Sequence, residues 1–116
     1  MEGSSAILKS CGILALLFVA LAILTRRFAL ELGPLGITVN AVAPGYILGG
    51  MNVHGKKQKD IDAASKAVVP RTMMRRVGVA KDIAAAVAYL VSPEAGYVTA
   101  QILTVDGGRM DYISHV

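Results

Sequence analysis

The chain has 116 residues, 54% of them apolar and 5% aromatic with no tryptophan, and a formal charge of +4. That length allows one small domain with an aliphatic core and leaves little apolar surface to spare. The positive excess sits mostly in Lys56, Lys57, Lys59, Arg71, Arg75 and Arg76 with no aromatic side chains between them, which reads as a solvated loop and argues against a nucleic-acid platform.

A single cysteine, Cys11, excludes an internal disulfide and fits a reducing compartment, so the expected location is cytoplasmic. His54 and His115 are isolated in the sequence, with no second ligand at metal spacing, and no metal site is expected.

After a short polar start carrying Lys9, Cys11 to Leu24 is an uncharged apolar run, followed by Arg26 and Arg27. With Ala20-Leu-Ala22 it imitates a signal peptide. At about 14 residues it falls short of the roughly 18 that span a bilayer, and the spacing of Leu14, Leu17, Leu21, Leu24 and Phe28 predicts a helix, buried all round early and amphipathic late. The alternative is a membrane-associated segment. Gly33-Pro34 ends the helix in this reading, glycine as cap and proline as breaker.

Ile37 to Ala43 is a charge-free run of small and β-branched residues, the composition of a strand buried on both faces of a parallel sheet. Pro44-Gly45 turns the chain at the carboxyl end of that strand, where open α/β sheets bind ligands. Tyr46 to Val69 has no sustained period, with one or two short helices within Asp60 to Lys66, and reads as a mobile lid over 46–69. Lys81 to Val91 predicts a helix with Asp82 in its first turn, ended by Ser92-Pro93. Gln101 to Val105 predicts a second strand, closed by Asp106-Gly107-Gly108. The expected fold class is α/β: a partial Rossmann-like doubly wound fold with a long first helix and two parallel strands at about 37–43 and 101–105, in a single partial domain over 1–116.

Five landmarks recur in order: Leu24-Thr-Arg26, Ala29-Leu-Glu-Leu-Gly33, Val39-Asn-Ala-Val-Ala-Pro-Gly45, Arg76-Val-Gly78 before Asp82-Ile-Ala84, and Tyr97-Val-Thr-Ala-Gln101 before Thr104-Val-Asp-Gly-Gly108. Together they resemble the carboxyl-terminal half of a short-chain dehydrogenase/reductase, similar to 3-oxoacyl-carrier-protein reductase-like enzymes. The resemblance covers 24–108, leaving 1–23 as a divergent apolar segment and 109–116 as a tail. It implies a doubly wound sheet that binds NAD or NADP and moves hydride between the nicotinamide and a carbonyl or alcohol. It assigns cofactor contacts to Pro44, Gly45, Tyr46 and Ile47, with the Ile47 backbone facing the nicotinamide amide, and gives Tyr46 and Met51 to a substrate lid. It also implies partners, a second copy or a full-length relative, because the long helix and the Lys81 helix pack between subunits in the family.

Departures from the family pattern bear on activity. The chain has no Gly-x-Gly with which to cradle a pyrophosphate, and the family's catalytic Asn and Ser positions are expected upstream of Met1. The family's Tyr-x-x-x-Lys, counted back from Leu24-Thr-Arg26, falls on Leu14 and Phe18, which cannot transfer a proton, so no catalytic residue is expected. A register shifted by about nine residues pairs Ser5 with Lys9 and still lacks tyrosine. Gly49 stands where a cofactor-contacting Thr is expected, Ala80 where proline is common and Ala100 where glycine is common. The rival readings are a non-catalytic partner-binding module and a membrane-anchored product through Cys11 to Leu24.

Overall fold

The computed structural model describes residues 2–110, with side chains for 16–110 other than that of residue 51. The expectations for Leu14, Ser5, Lys9 and Cys11, for the Met51 side chain and for the end of the tail fall outside what is described. The chain divides into two compact units, Met1–Ala41 with Gly96–Ile102, and Val42–Ala95 with Leu103–Val116.

The first unit opens with α1, Glu2–Leu32, which runs into a 3-10 turn, Gly33–Leu35. Pro34 suits the first positions of that turn, where its lack of an N–H costs nothing. The left-handed cap is therefore Gly36 (φ 76°), whose N–H donates to the Gly33 carbonyl at 2.9 Å, and not Gly33 as the sequence suggested.

The packed face of α1 also differs from the expected leucine stripe. Thr25 and Ala29 are buried, with Ala22 and Leu32 partly covered at the same helical spacing. Leu17, Leu21, Leu24 and Phe28 are exposed, as are Leu16, Phe18 and Val19, so the described part of the apolar run is not buried within this chain. Small side chains allow close approach of a helix, and the larger leucines point away from it. Among the described residues no helix is long and apolar enough to cross a membrane.

Beyond Gly36, residues 37–40 hold no regular secondary structure, and β1 begins only at Ala41 and runs Ala41–Pro44. Side chains take the place of ladder bonds just before it. The Val39 N–H donates to Thr99 Oγ1 (3.1 Å), Asn40 Nδ2 donates to the Val98 carbonyl (2.9 Å), and the Gln101 N–H donates to Asn40 Oδ1 (3.1 Å). Ala100, at a left-handed φ of 60°, bends the opposing segment while its N–H donates to the Val39 carbonyl at 2.8 Å. That bend shortens both expected strands, 37–43 to Ala41–Pro44 and 101–105 to β4, Ile102–Val105.

β1 and β4 pair in one two-stranded sheet. Its flanking bonds, from Ala41 N–H to the Gln101 carbonyl and from Gly45 N–H to the Val105 carbonyl, advance in the same direction along both segments, as in a parallel pair.

In the second unit, β2 (Ile47–Leu48) pairs in parallel with β3 (Gly78–Val79), in the register Ile47 with Gly78 and Leu48 with Val79. This short pair was not foreseen. The region read as a lid holds β2, a 3-10 turn (Gly50–Asn52) and α2, Gln58–Val68, which is longer than the acidic patch implied. Ile61 and Val68, two turns apart, are its buried stripe, with Asp60 and Lys66 suitably placed for the helix dipole. The following segment is stitched to the chain after β4, with Met73 and Met74 N–H groups donating to the Gly108 and Gly107 carbonyls and Met110 N–H to Arg71. Thr72 is buried there. The last helix, α3, is Ala80–Leu90, one residue earlier at each end than expected.

Candidate functional site

The turn after β1 is shaped by close backbone contact. A Cβ placed on Gly45 would lie 2.6 Å from the Asp106 Cα, so only glycine fits. Asp106 in turn accepts the Gly108 N–H on Oδ1 at 2.9 Å, and Gly107 and Gly108 sit at φ 64° and 69°, which completes an Asx turn beneath the Pro44-Gly45 corner. The sequence marked Asp106-Gly107-Gly108 as a turn without showing that it packs against Gly45.

Tyr46 and Ile47 follow directly. The Tyr46 carbonyl accepts the Gly78 N–H at 3.0 Å, and a Cβ on Gly78 would run into the Ile47 side chain, so β3 lies tight against β2. The Tyr46 hydroxyl is buried with no hydrogen-bond partner among the described residues. Asn52 folds back onto Ile47. Its Nδ2 donates to the Ile47 carbonyl at 2.8 Å. Between them Gly49, at φ 150° and ψ 174°, holds a conformation restricted to glycine, so a threonine at this position is excluded by backbone shape.

β3 is held by charge. Arg76 places Nη1 and Nη2 2.7 and 2.9 Å from the two carboxylate oxygens of Asp82, and the Val79 N–H donates to Asp82 Oδ2 at 2.9 Å. Asp82 thus ties β3 and the first turn of α3 together, and the bidentate Arg76 contact, followed by the Val79 amide, holds its carboxyl pKa down at about 2. A cavity of about 30 Å³ lined by Ile47, Met74, Arg76, Gly78, Asp82 and Asp106 has room for about one water molecule.

The structure brings Pro44, Gly45, Tyr46 and Ile47 together in one corner. Phe18, one of the two positions where the family's proton-transfer pair was expected, is exposed on α1. Leu14, the other, lies outside the described side chains. Sequence reasoning missed Asn52, the packing of Asp106 against Gly45 and the pairing of Arg76 with Asp82; the signals were an Asn five residues after Ile47, the Asp106-Gly107-Gly108 turn and an acid six residues after an Arg. Among the described residues no three His, Cys, Asp or Glu side chains group for a metal. The Ile47 carbonyl accepts its N–H from a primary carboxamide, that of Asn52.

The family described as enoyl-(acyl carrier protein) reductase matches residues 3–110. The chain is 39% identical over 92 residues to a short-chain reductase, NovJ, of Streptomyces niveus, covering 78% of this chain and 35% of that protein. It is 42% identical over 89 residues to levodione reductase of Leifsonia aquatica, covering 74% and 33%. A blue fluorescent protein from a metagenomic library, solved with NADPH, is 38% identical at a TM-score of 0.65 over 78% of this chain and 34% of its own. A 4-hydroxyisoleucine dehydrogenase solved with NADH is 28% identical at a TM-score of 0.62, over 77% and 34%. The chain thus spans about a third of the length of these relatives. With the parallel strand, the Pro44-Gly45 corner and the matched sequence in agreement, the chain belongs to the short-chain dehydrogenase/reductase family of oxidoreductases.

Proposed function

We infer that the chain supplies the nicotinamide-side wall of an NAD- or NADP-dependent oxidoreductase acting on a carbonyl or alcohol, and that it does not turn over substrate alone. The observation that carries this reading is the corner Pro44 to Ile47, delivered by a parallel strand and locked by Asp106 and β3. The Ile47 backbone would face the nicotinamide end, with Pro44, Gly45 and Tyr46 beside it, and the bound dinucleotide would supply or accept hydride there. The lid is the segment 46–69, to which Tyr46 and Met51 belong. Proton transfer by a placed group is worth about 10² to 10⁴ in rate. Neither Leu14 nor Phe18 can provide it.

The same reading requires a partner, a second copy or a full-length relative. Leu16, Leu17, Phe18, Leu21, Leu24 and Phe28 of α1 are exposed, an apolar surface of the kind that a partner covers. Turnover of NADH and NADPH with carbonyl substrates is the test, for the purified chain and for the chain mixed with a full-length relative. No turnover is expected from the chain alone. Activity that follows the chain through purification, and survives substitution of Tyr46 and Met51, overturns the reading.

A further inference from the structure

The contact between Asn52 and Ile47 has a chemical identity beyond its geometry. Asn52 ends in a primary carboxamide, the same functional group that nicotinamide carries. Its Nδ2 must be the atom facing Ile47, since the Ile47 carbonyl only accepts and two oxygens would repel. Gly49 and Gly50, at φ 150° and 50°, reverse the chain so that Asn52 returns to Ile47, and the Asn52 N–H closes the same turn onto the Gly49 carbonyl at 3.1 Å. The turn therefore presents an amide to the carbonyl of the residue whose backbone the preceding reading gives to a ligand amide.

We propose that Asn52 is an internal mimic of the nicotinamide carboxamide, an autoinhibitory side chain that holds the Ile47 carbonyl and competes for it with an entering nicotinamide. The proposal rests on the reading of Ile47 as the nicotinamide-side contact. It sets a sign that a purely supporting role does not share. Removing a side chain that props up a site weakens binding there, whereas removing a competitor strengthens it. Exchanging one amide–carbonyl hydrogen bond for another of the same kind is worth roughly a two- to tenfold change in affinity.

The test uses the full chain, the variants Asn52→Ala and Asn52→Asp, and reduced nicotinamide mononucleotide as the probe, which carries the carboxamide without needing a pyrophosphate cradle. Affinity is read by ligand-observed NMR, with AMP as the control ligand. Amide hydrogen exchange over residues 47–54 is followed without ligand, and protection at Gly45 and Met73 reports that the second unit remains folded. Both variants are expected to bind the mononucleotide roughly two- to tenfold more tightly than wild type, with AMP unchanged and exchange faster across the turn. Saturable binding that is equal or weaker in the variants overturns the proposal and leaves the Ile47 reading standing. Faster exchange with no mononucleotide binding by any form removes that reading as well. Exchange unchanged by both substitutions overturns the proposal whatever the affinities.

Discussion

Ala100 is the clearest case of a residue at odds with its backbone. A left-handed φ costs an L-residue roughly 1 to 2 kcal/mol, and glycine returns part of that gain as unfolded-state entropy. Ala100→Gly is therefore expected to stabilise the chain by up to about 1 kcal/mol, read as a raised urea midpoint at unchanged slope. Tyr46 carries a different cost, because a buried hydroxyl without a partner among the described residues keeps its desolvation penalty. Tyr46→Phe is expected to raise stability by roughly 1 kcal/mol, and a loss of that size in thermal unfolding would show that the hydroxyl has a partner after all. Asp82 makes a prediction in pH. Its carboxyl is held at about 2, below the ordinary 3.8, so the unfolded chain binds the proton first and folding loses support as pH falls. The contribution is complete above about pH 4 and fades toward about pH 2, so wild type should lose its thermal advantage over Asp82→Asn across that window and not above it.

At the scale of elements, α1 separates what composition announces from what packing decides. Its existence was legible from the leucine spacing and so was its end near Gly33-Pro34, since helix formers and breakers act locally. Its buried face was not legible, because an apolar run offers leucine and alanine stripes alike and only the neighbouring chain selects between them. The same holds for the candidate site. Pro44-Gly45 announces a turn, but the return of Asn52 to Ile47 depends on the backbone at Gly49, which composition does not reveal. Two substitutions test the face. Leu17→Arg lands on an exposed position and is expected to change folding stability by no more than about 0.5 kcal/mol while reducing self-association. Ala29→Arg lands on a buried one and is expected to destabilise by several-fold more, read by circular dichroism melts.

For the molecule as a whole, the described residues hold few buried side chains: Ala29, Ile61, Val68 and Ala95 with Thr25 and Thr72, and among them no large side chain is wholly enclosed. Hydrophobic burial of this extent leaves a small margin against chain entropy. The thermal midpoint is therefore expected to rise with protein concentration, as mass action requires when association supplies the rest. Sedimentation velocity across a hundredfold dilution checks it, and a monodisperse monomer with a midpoint independent of concentration would contradict it.

The carboxamide of Asn40 also governs when the first unit can form. It joins residues 58 and 61 positions apart, and Val39 reaches Thr99 across 60. Closing a loop of that length costs about 4 kcal/mol before any bond repays it, whereas α2, α3 and the Arg76–Asp82 pair need only neighbours within a few residues. In time, then, the order of the chain is inverted: helices and local ion pairs come first, and the junction beside β1 closes late. A substitution such as Asn40→Ala should accordingly quicken unfolding far more than it slows folding, leaving its mark on one arm of the chevron.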